Sequence, residues 1–95
     1  MNLRTLKTQR DLIIRIAEKH GAYDVRVFGS VARNEDNHNS DIDLLVNFEH
    51  GRSLFDLIEL KDELEDILQV KVDIISENGL NKYMKDSILE DAIQL

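Results

Sequence analysis

The chain has no cysteine, no proline and no tryptophan, and its other aromatic residues are three Phe and two Tyr. Without cysteine there is neither a disulfide framework nor thiolate chemistry. Basic charge is also short, with 12 Lys+Arg against 19 Asp+Glu and a formal net charge of −7. Sequence-independent nucleic-acid binding needs protein cations that displace condensed counterions, so direct nucleic-acid binding is not expected. No apolar run is long enough to span a bilayer and no signal-peptide pattern is visible, so no membrane association is expected and a cytoplasmic location is. The three histidines, His20, His38 and His50, share no metal-ligand spacing, which argues against a zinc site. At 95 residues, the whole of 1–95 reads as one domain without room for separate substrate and catalytic lobes. An acceptor would therefore dock on an open face or arrive with a partner.

What the chain does contain is a regular succession of amphipathic segments. Leu3, Leu6, Arg10, Ile13, Ile16, Ala17 and His20 fall on one helical stripe, and His20-Gly21 is a stop signal, so one helix is predicted over 3–20. Tyr23 to Gly29 reads as a strand ending on a glycine turn. Ser30 to Arg33 reads as a helical turn or two, followed by the polar loop 34–39, which borders the site described next and reads as a solvated connection. Asp41 to Phe48 is the second strand, Ser53 the N-cap of a second long helix, and Val70 to Ile75 the third strand. That helix carries Leu54, Leu57, Ile58, Leu64, Ile67 and Leu68 near a 3.6-residue period. Its acidic side, Asp56, Glu59, Asp62, Glu63, Glu65 and Asp66, reads as a solvated face in preference to a dock for a basic partner. Glu77 to Leu95 reads as one or two closing helices, and Tyr23 and Tyr83 as core or interface aromatics.

Two stretches carry chemistry. In Gly29-Ser30-Val31-Ala32-Arg33 a small-residue turn ends an apolar run, and its backbone N–H groups could cradle a polyphosphate. Gly29 allows the backbone to approach an anion with no Cβ in the way. In Ser40-Asp41-Ile42-Asp43-Leu44 the carboxylates of Asp41 and Asp43 lie two apart on a strand, so both point to one face while Ile42 and Leu44 face the other. Two hard oxygen ligands on one rigid edge suit Mg²⁺, which combines carboxylates with phosphate oxygens. Asp73 lies among β-branched apolar residues, where its charge needs compensation, and a metal shared with Asp41 and Asp43 would supply it.

Gly29-Ser30 with Ala32-Arg33, then Ser40-Asp41 with Asp43-Leu44, then a later strand bearing Asp73, together resemble the minimal nucleotidyltransferase (MNT) domain of the polymerase-beta-like nucleotidyltransferase superfamily. Among its prokaryotic members the chain resembles the antitoxin half of HEPN/MNT toxin–antitoxin pairs. The resemblance covers nearly the whole chain and implies an α/β (α+β) fold, a small mixed sheet of about three to four strands flanked by helices. One departure is Asn34, where many relatives carry glycine; Asn also tolerates left-handed geometry.

The resemblance further implies a nucleotidyl transfer supported by two Mg²⁺ ions with ATP as substrate. Asp41, Asp43 and Asp73 would hold the metal, and Asp73 could accept the attacking hydroxyl's proton. Gly29 and Ser30 would bind the β- and γ-phosphates. Arg33 would either add charge at the leaving pyrophosphate or brace the loop against a nearby carboxylate, and Ser40 would orient the strand entrance. The implied partner is a cognate HEPN ribonuclease toxin, in a hetero-oligomer, with AMP placed on a toxin hydroxyl, a tyrosine's. A non-catalytic antitoxin that masks the toxin, and a small-molecule nucleotidyltransferase of the antibiotic-modifying kind, are the alternatives.

Overall fold

The computed structural model describes residues 1–35 and 41–95. In chain order the elements are α1 (Leu3–Thr8), α2 (Arg10–Lys19), β1 (Ala22–Phe28), α3 (Gly29–Ala32), β2 (Ile42–Phe48), α4 (Leu54–Leu68), β3 (Val72–Ser76), a 3-10 turn (Glu77–Gly79), α5 (Lys82–Asp91) and β4 (Ile93–Gln94). The strands form one mixed sheet in the order β3-β2-β1-β4. β1 runs antiparallel to β2 and β4, whereas β2 and β3 are parallel and are connected through α4. This is the small mixed α/β arrangement that the sequence leads one to expect.

The helix predicted over 3–20 is two helices. Gln9 ends α1 and opens α2 with φ −98° and ψ 9°, outside helical geometry. Its N–H turns back to the Leu6 carbonyl while its own carbonyl accepts the Ile13 N–H. One such residue leaves the apolar spacing intact, so periodicity cannot reveal the break. Leu3 and Leu6 before it, and Ile13, Ile16 and Ala17 after it, are all buried.

β1 contains an equally quiet irregularity. Tyr23 pairs with Asn47 and Arg26 with Leu45, so β1 holds one residue more than its partner between these pairs. Asp24, at φ +56°, takes up the extra residue as a β-bulge. The bulge changes the parity of the strand, and Ala22, Val25 and Val27 all reach the core although 22 and 25 differ by an odd number.

Packing places α2 and α4 against the sheet and against each other. Leu6, Ile13, Val27, Ile42, Leu44, Val46, Leu60, Leu64 and Val72, each 0 or 1% exposed, form the centre of that layer. α4 starts as expected, with Ser53 Oγ accepting the Phe55 N–H at 3.3 Å and Asp56 Oδ2 accepting the Ser53 N–H at 2.8 Å. That reciprocal cap holds the Asp56 carboxyl below its usual range, chiefly through the Ser53 N–H.

The acidic side of α4 is not uniformly solvated, which corrects the sequence reading. Glu65 accepts the Val72 N–H at 2.9 Å and a Lys61 proton at 3.2 Å, tying the end of the helix to the start of β3. Glu63 receives Lys19 at 3.0 Å and pairs with His20 Nε2 at 2.8 Å, joining α4 to α2. The apolar positions also depart from expectation, since Leu54, Ile58 and Ile67 are exposed while Leu60, Leu64 and Leu68 face the core. A last correction falls at the C-terminal end. Ile93 reads as helical by spacing but pairs with Val27 as part of β4, and the Leu95 N–H donates to the Val25 carbonyl at 3.0 Å.

Candidate active site

Strand alternation divides the sheet's two faces. Ile42 and Leu44 enter the helical layer, so Asp43, between them, faces away from it. Asp43 and Asp73 are direct Cα partners on the parallel pair β2–β3, one on each strand. Asp41 immediately precedes β2 and is half-buried. The Asp43 carboxyl is pushed above its usual range, first by burial and then by the negative charge of Asp73 and Asp41. Arg33 acts on it in the opposite sense.

Gly29 lies against the same carboxylate. Its φ is +75°, and a Cβ built there would come within 2.4 Å of Asp43 Oδ2. The conformation favours glycine, and any Cβ would have to push the Asp43 carboxylate aside. α3 follows directly, and Val31 and Ala32 anchor it in the core while Ser30 stays half-buried at the surface. Phe28, at the N-cap, offers no side-chain hydrogen bond to the first amides of this turn. The turn closes through the Arg33 N–H on the Gly29 carbonyl at 3.2 Å and the Glu35 N–H on the Ser30 carbonyl at 2.8 Å. Asn34 takes φ +58°, the left-handed geometry that its side chain tolerates.

Arg33 donates through Nε to Glu35 at 3.0 Å and through Nη1 to Asp91 Oδ2 at 2.6 Å. Asp91, the last residue of α5, therefore holds the far side of the signature turn. Sequence reasoning does not find it, because it lies 58 positions from Arg33 and nothing local marks it. Arg26 is a second such case. It stands opposite Leu45 on β1, and its Nη1 donates to Glu77 at 2.5 Å, pinning the 3-10 turn to the sheet. Ser40 and His38 lie outside the described residues.

The arrangement brings Gly29, Asp43 and Asp73 together, with Asp41 and Arg33 close enough to act on the Asp43 charge. Among the described residues no three His, Cys, Asp or Glu side chains already close around a common point. The donors are nonetheless hard oxygens carrying mutually repelling charge, and a hard divalent cation with free positions for water and phosphate fits such an incomplete set. A cation there would offset both the burial and the like-charge repulsion that raise Asp43.

The sequence profile of the nucleotidyltransferase domain matches residues 10–95. The chain belongs to the nucleotidyltransferase domain family. A Methanocaldococcus jannaschii protein named as a candidate protein adenylyltransferase is 44% identical to this nucleotidyltransferase over 95 residues, covering 100% of this chain and 99% of its own. A solved structure described as a candidate minimal nucleotidyltransferase superposes with a TM-score of 0.89 at 49% identity, covering 100% of this chain and 97% of the other. The structure of tri-AMPylated Shewanella oneidensis HEPN toxin in complex with MNT antitoxin contains the same fold, with a TM-score of 0.72 at 18% identity over 93% of this chain and 69% of that one. Among the described residues no helix is long and apolar enough to cross a membrane.

Proposed function

We propose that this nucleotidyltransferase is an antitoxin, a single domain over 1–95 acting in the cytoplasm, that transfers AMP from ATP to a tyrosine hydroxyl of a partner HEPN ribonuclease toxin. The observation that carries the reading is the Asp43–Asp73 pair beside Gly29, two like charges held together next to a backbone that glycine allows so close. The similarity to a named candidate protein adenylyltransferase, and the fold shared with an MNT antitoxin bound to an AMPylated toxin, support the choice of acceptor.

Asp41, Asp43 and Asp73 would hold Mg²⁺, two ions in the full complex. The chemistry such ions would supply there is neutralisation of the triphosphate charge and a lowered pKa for the attacking hydroxyl. Gly29 and Ser30 orient the β- and γ-phosphates through the turn's N–H groups and the Ser30 hydroxyl, and Ser40 orients the entrance to β2. Arg33 braces the turn between Glu35 and Asp91, which supports the bracing role over direct contact with the leaving pyrophosphate. Asp73 accepts the proton of the attacking hydroxyl at a carboxylate oxygen. The hydroxyl oxygen forms a bond to the α-phosphorus, the α–β phosphoanhydride bond breaks, and pyrophosphate carries away the electron pair.

The test is the intact mass of a purified HEPN toxin after incubation with this protein, ATP and Mg²⁺, beside an Asp41→Asn/Asp43→Asn double variant. One or more AMP additions, absent with the variant and absent when Mg²⁺ is chelated, are expected. A stable complex that silences the toxin with no mass gain would contradict transfer and favour masking instead.

A further inference from the structure

The first two turns of α4 expose three adjoining apolar side chains, Leu54 at 69%, Phe55 at 75% and Ile58 at 42%. Positions three and four apart on a helix are neighbours, so these three form one patch. The patch is rigidly presented, because the Ser53–Asp56 cap fixes the turn that bears it. Beside it lies a groove of about 410 Å³ whose wall includes Phe48, Leu54 and Leu57.

The same face continues into Glu59, Asp62 and Asp66. Among the described residues Asp62 and Asp66 form no ion pair, and Glu59 reaches only His20 Nδ1, at 3.8 Å. Like charges at these spacings destabilise a helix by roughly 0.2–0.5 kcal/mol per pair. Asp66 adds negative charge to the last turn, where the helix dipole is already negative and no basic residue offsets it. An apolar patch leading into uncompensated negative charge is complementary to an apolar side chain with cations beside it.

We propose that this face of α4 docks a second polypeptide presenting an apolar side chain flanked by lysine or arginine. The surface is separate from the transfer site. α4 begins beyond the C-terminal end of β2, whereas Asp41 and Asp43 are at its N-terminal end, and the helix covers the sheet face opposite Asp43. A second copy of this chain would bring one acidic stripe against another in molecules of formal net charge −7 each. Nucleic acid and anionic lipid are repelled for the same reason.

A synthetic amphipathic peptide of leucine and lysine, titrated calorimetrically into the full chain, tests the assignment. Saturable single-site binding is expected, weakened about tenfold by Phe55→Asp, by Ile58→Ser and by Asp62→Lys/Asp66→Lys, and weakened by added salt. Melting temperatures no lower than the parent's, and slightly higher for Asp62→Lys/Asp66→Lys, would show that the exposed substitutions leave the fold intact. The proposal is overturned if these variants bind the peptide as the parent does, or if an oligolysine without leucine binds as tightly. It is also overturned if light scattering finds a dimer of this chain that Phe55→Asp dissociates, since the face would then belong to a second copy.

Discussion

The two faces of one strand, β2, are put to opposite uses. Ile42, Leu44 and Val46 point into the helical layer and are 0 or 1% exposed, each contributing on the order of 1.5–3 kcal/mol by burial. Asp43, one residue from two of them, points the other way against Asp73 and the Gly29 backbone, and its carboxyl is pushed up by burial and like charge. The helical face is apolar throughout, whereas the other, on which Leu45 is also buried, holds at Asp43 and Asp73 groups that would be more stable apart. A cation or a bound polyphosphate complex would gain from that arrangement what the free fold loses.

The division predicts that the two faces can be damaged separately. The largest effect belongs to the carboxylate face, where Asp41→Asn/Asp43→Asn should lower nucleotidyl transfer by about a thousandfold or more without loss of secondary structure, read by product formation and circular dichroism. On the other face Leu44→Ala should cost roughly 2–5 kcal/mol in denaturant unfolding while transfer per folded molecule persists. If Leu44→Ala abolishes transfer in molecules that remain folded, the separation is wrong. Gly29→Ala touches both, because it strains a left-handed residue by about 1–2 kcal/mol and drives a methyl into Asp43, so stability and transfer should fall together. Ser53→Ala, remote from the carboxylates, should cost about 1 kcal/mol in unfolding and leave transfer unchanged.

Two carboxylates sharpen the comparison through pH. Asp56 is held below its unfolded value by the cap, so its stabilisation is present at neutral pH and is lost as pH falls through its folded pKa. Asp43 is held above its unfolded value, so its ionised form opposes folding at neutral pH and the opposition is relieved as pH falls through its folded pKa. Melting curves across that range should show Asp56→Asn approaching the parent on acidification, whereas any advantage of Asp43→Asn should shrink there.

The elements most legible in the sequence are those whose signals are local. Ser53 ahead of a 3.6-period apolar run announces a cap, alternation from Asp41 to Leu44 announces a strand with two unlike faces, and Gly29 at the end of an apolar run announces a turn. What escapes is set by distance or by compensation. The break at Gln9 preserves the burial pattern around it, so the pattern hides it, whereas the bulge at Asp24 shifts the parity between Ala22 and Val25, which strict alternation does not anticipate. The β4 pairing of Ile93 with Val27, the Val72 N–H on Glu65 and the Asp91 grip on Arg33 are tertiary facts, with nothing in the neighbouring residues to announce them. Ile93 even continues the helical spacing of Ile88 and Leu89, a coincidence that only hydrogen bonding to β1 resolves.

The most direct test of the two-faced account is a single preparation of Asp43→Asn, assayed for both thermal melting and nucleotidyl transfer without added metal during the melt. The account predicts a higher melting temperature, reflecting stabilisation on the order of 0.5 kcal/mol from relief of a like-charge cross-strand pair, while transfer is lost. A melting temperature that falls, or transfer that survives, would contradict it.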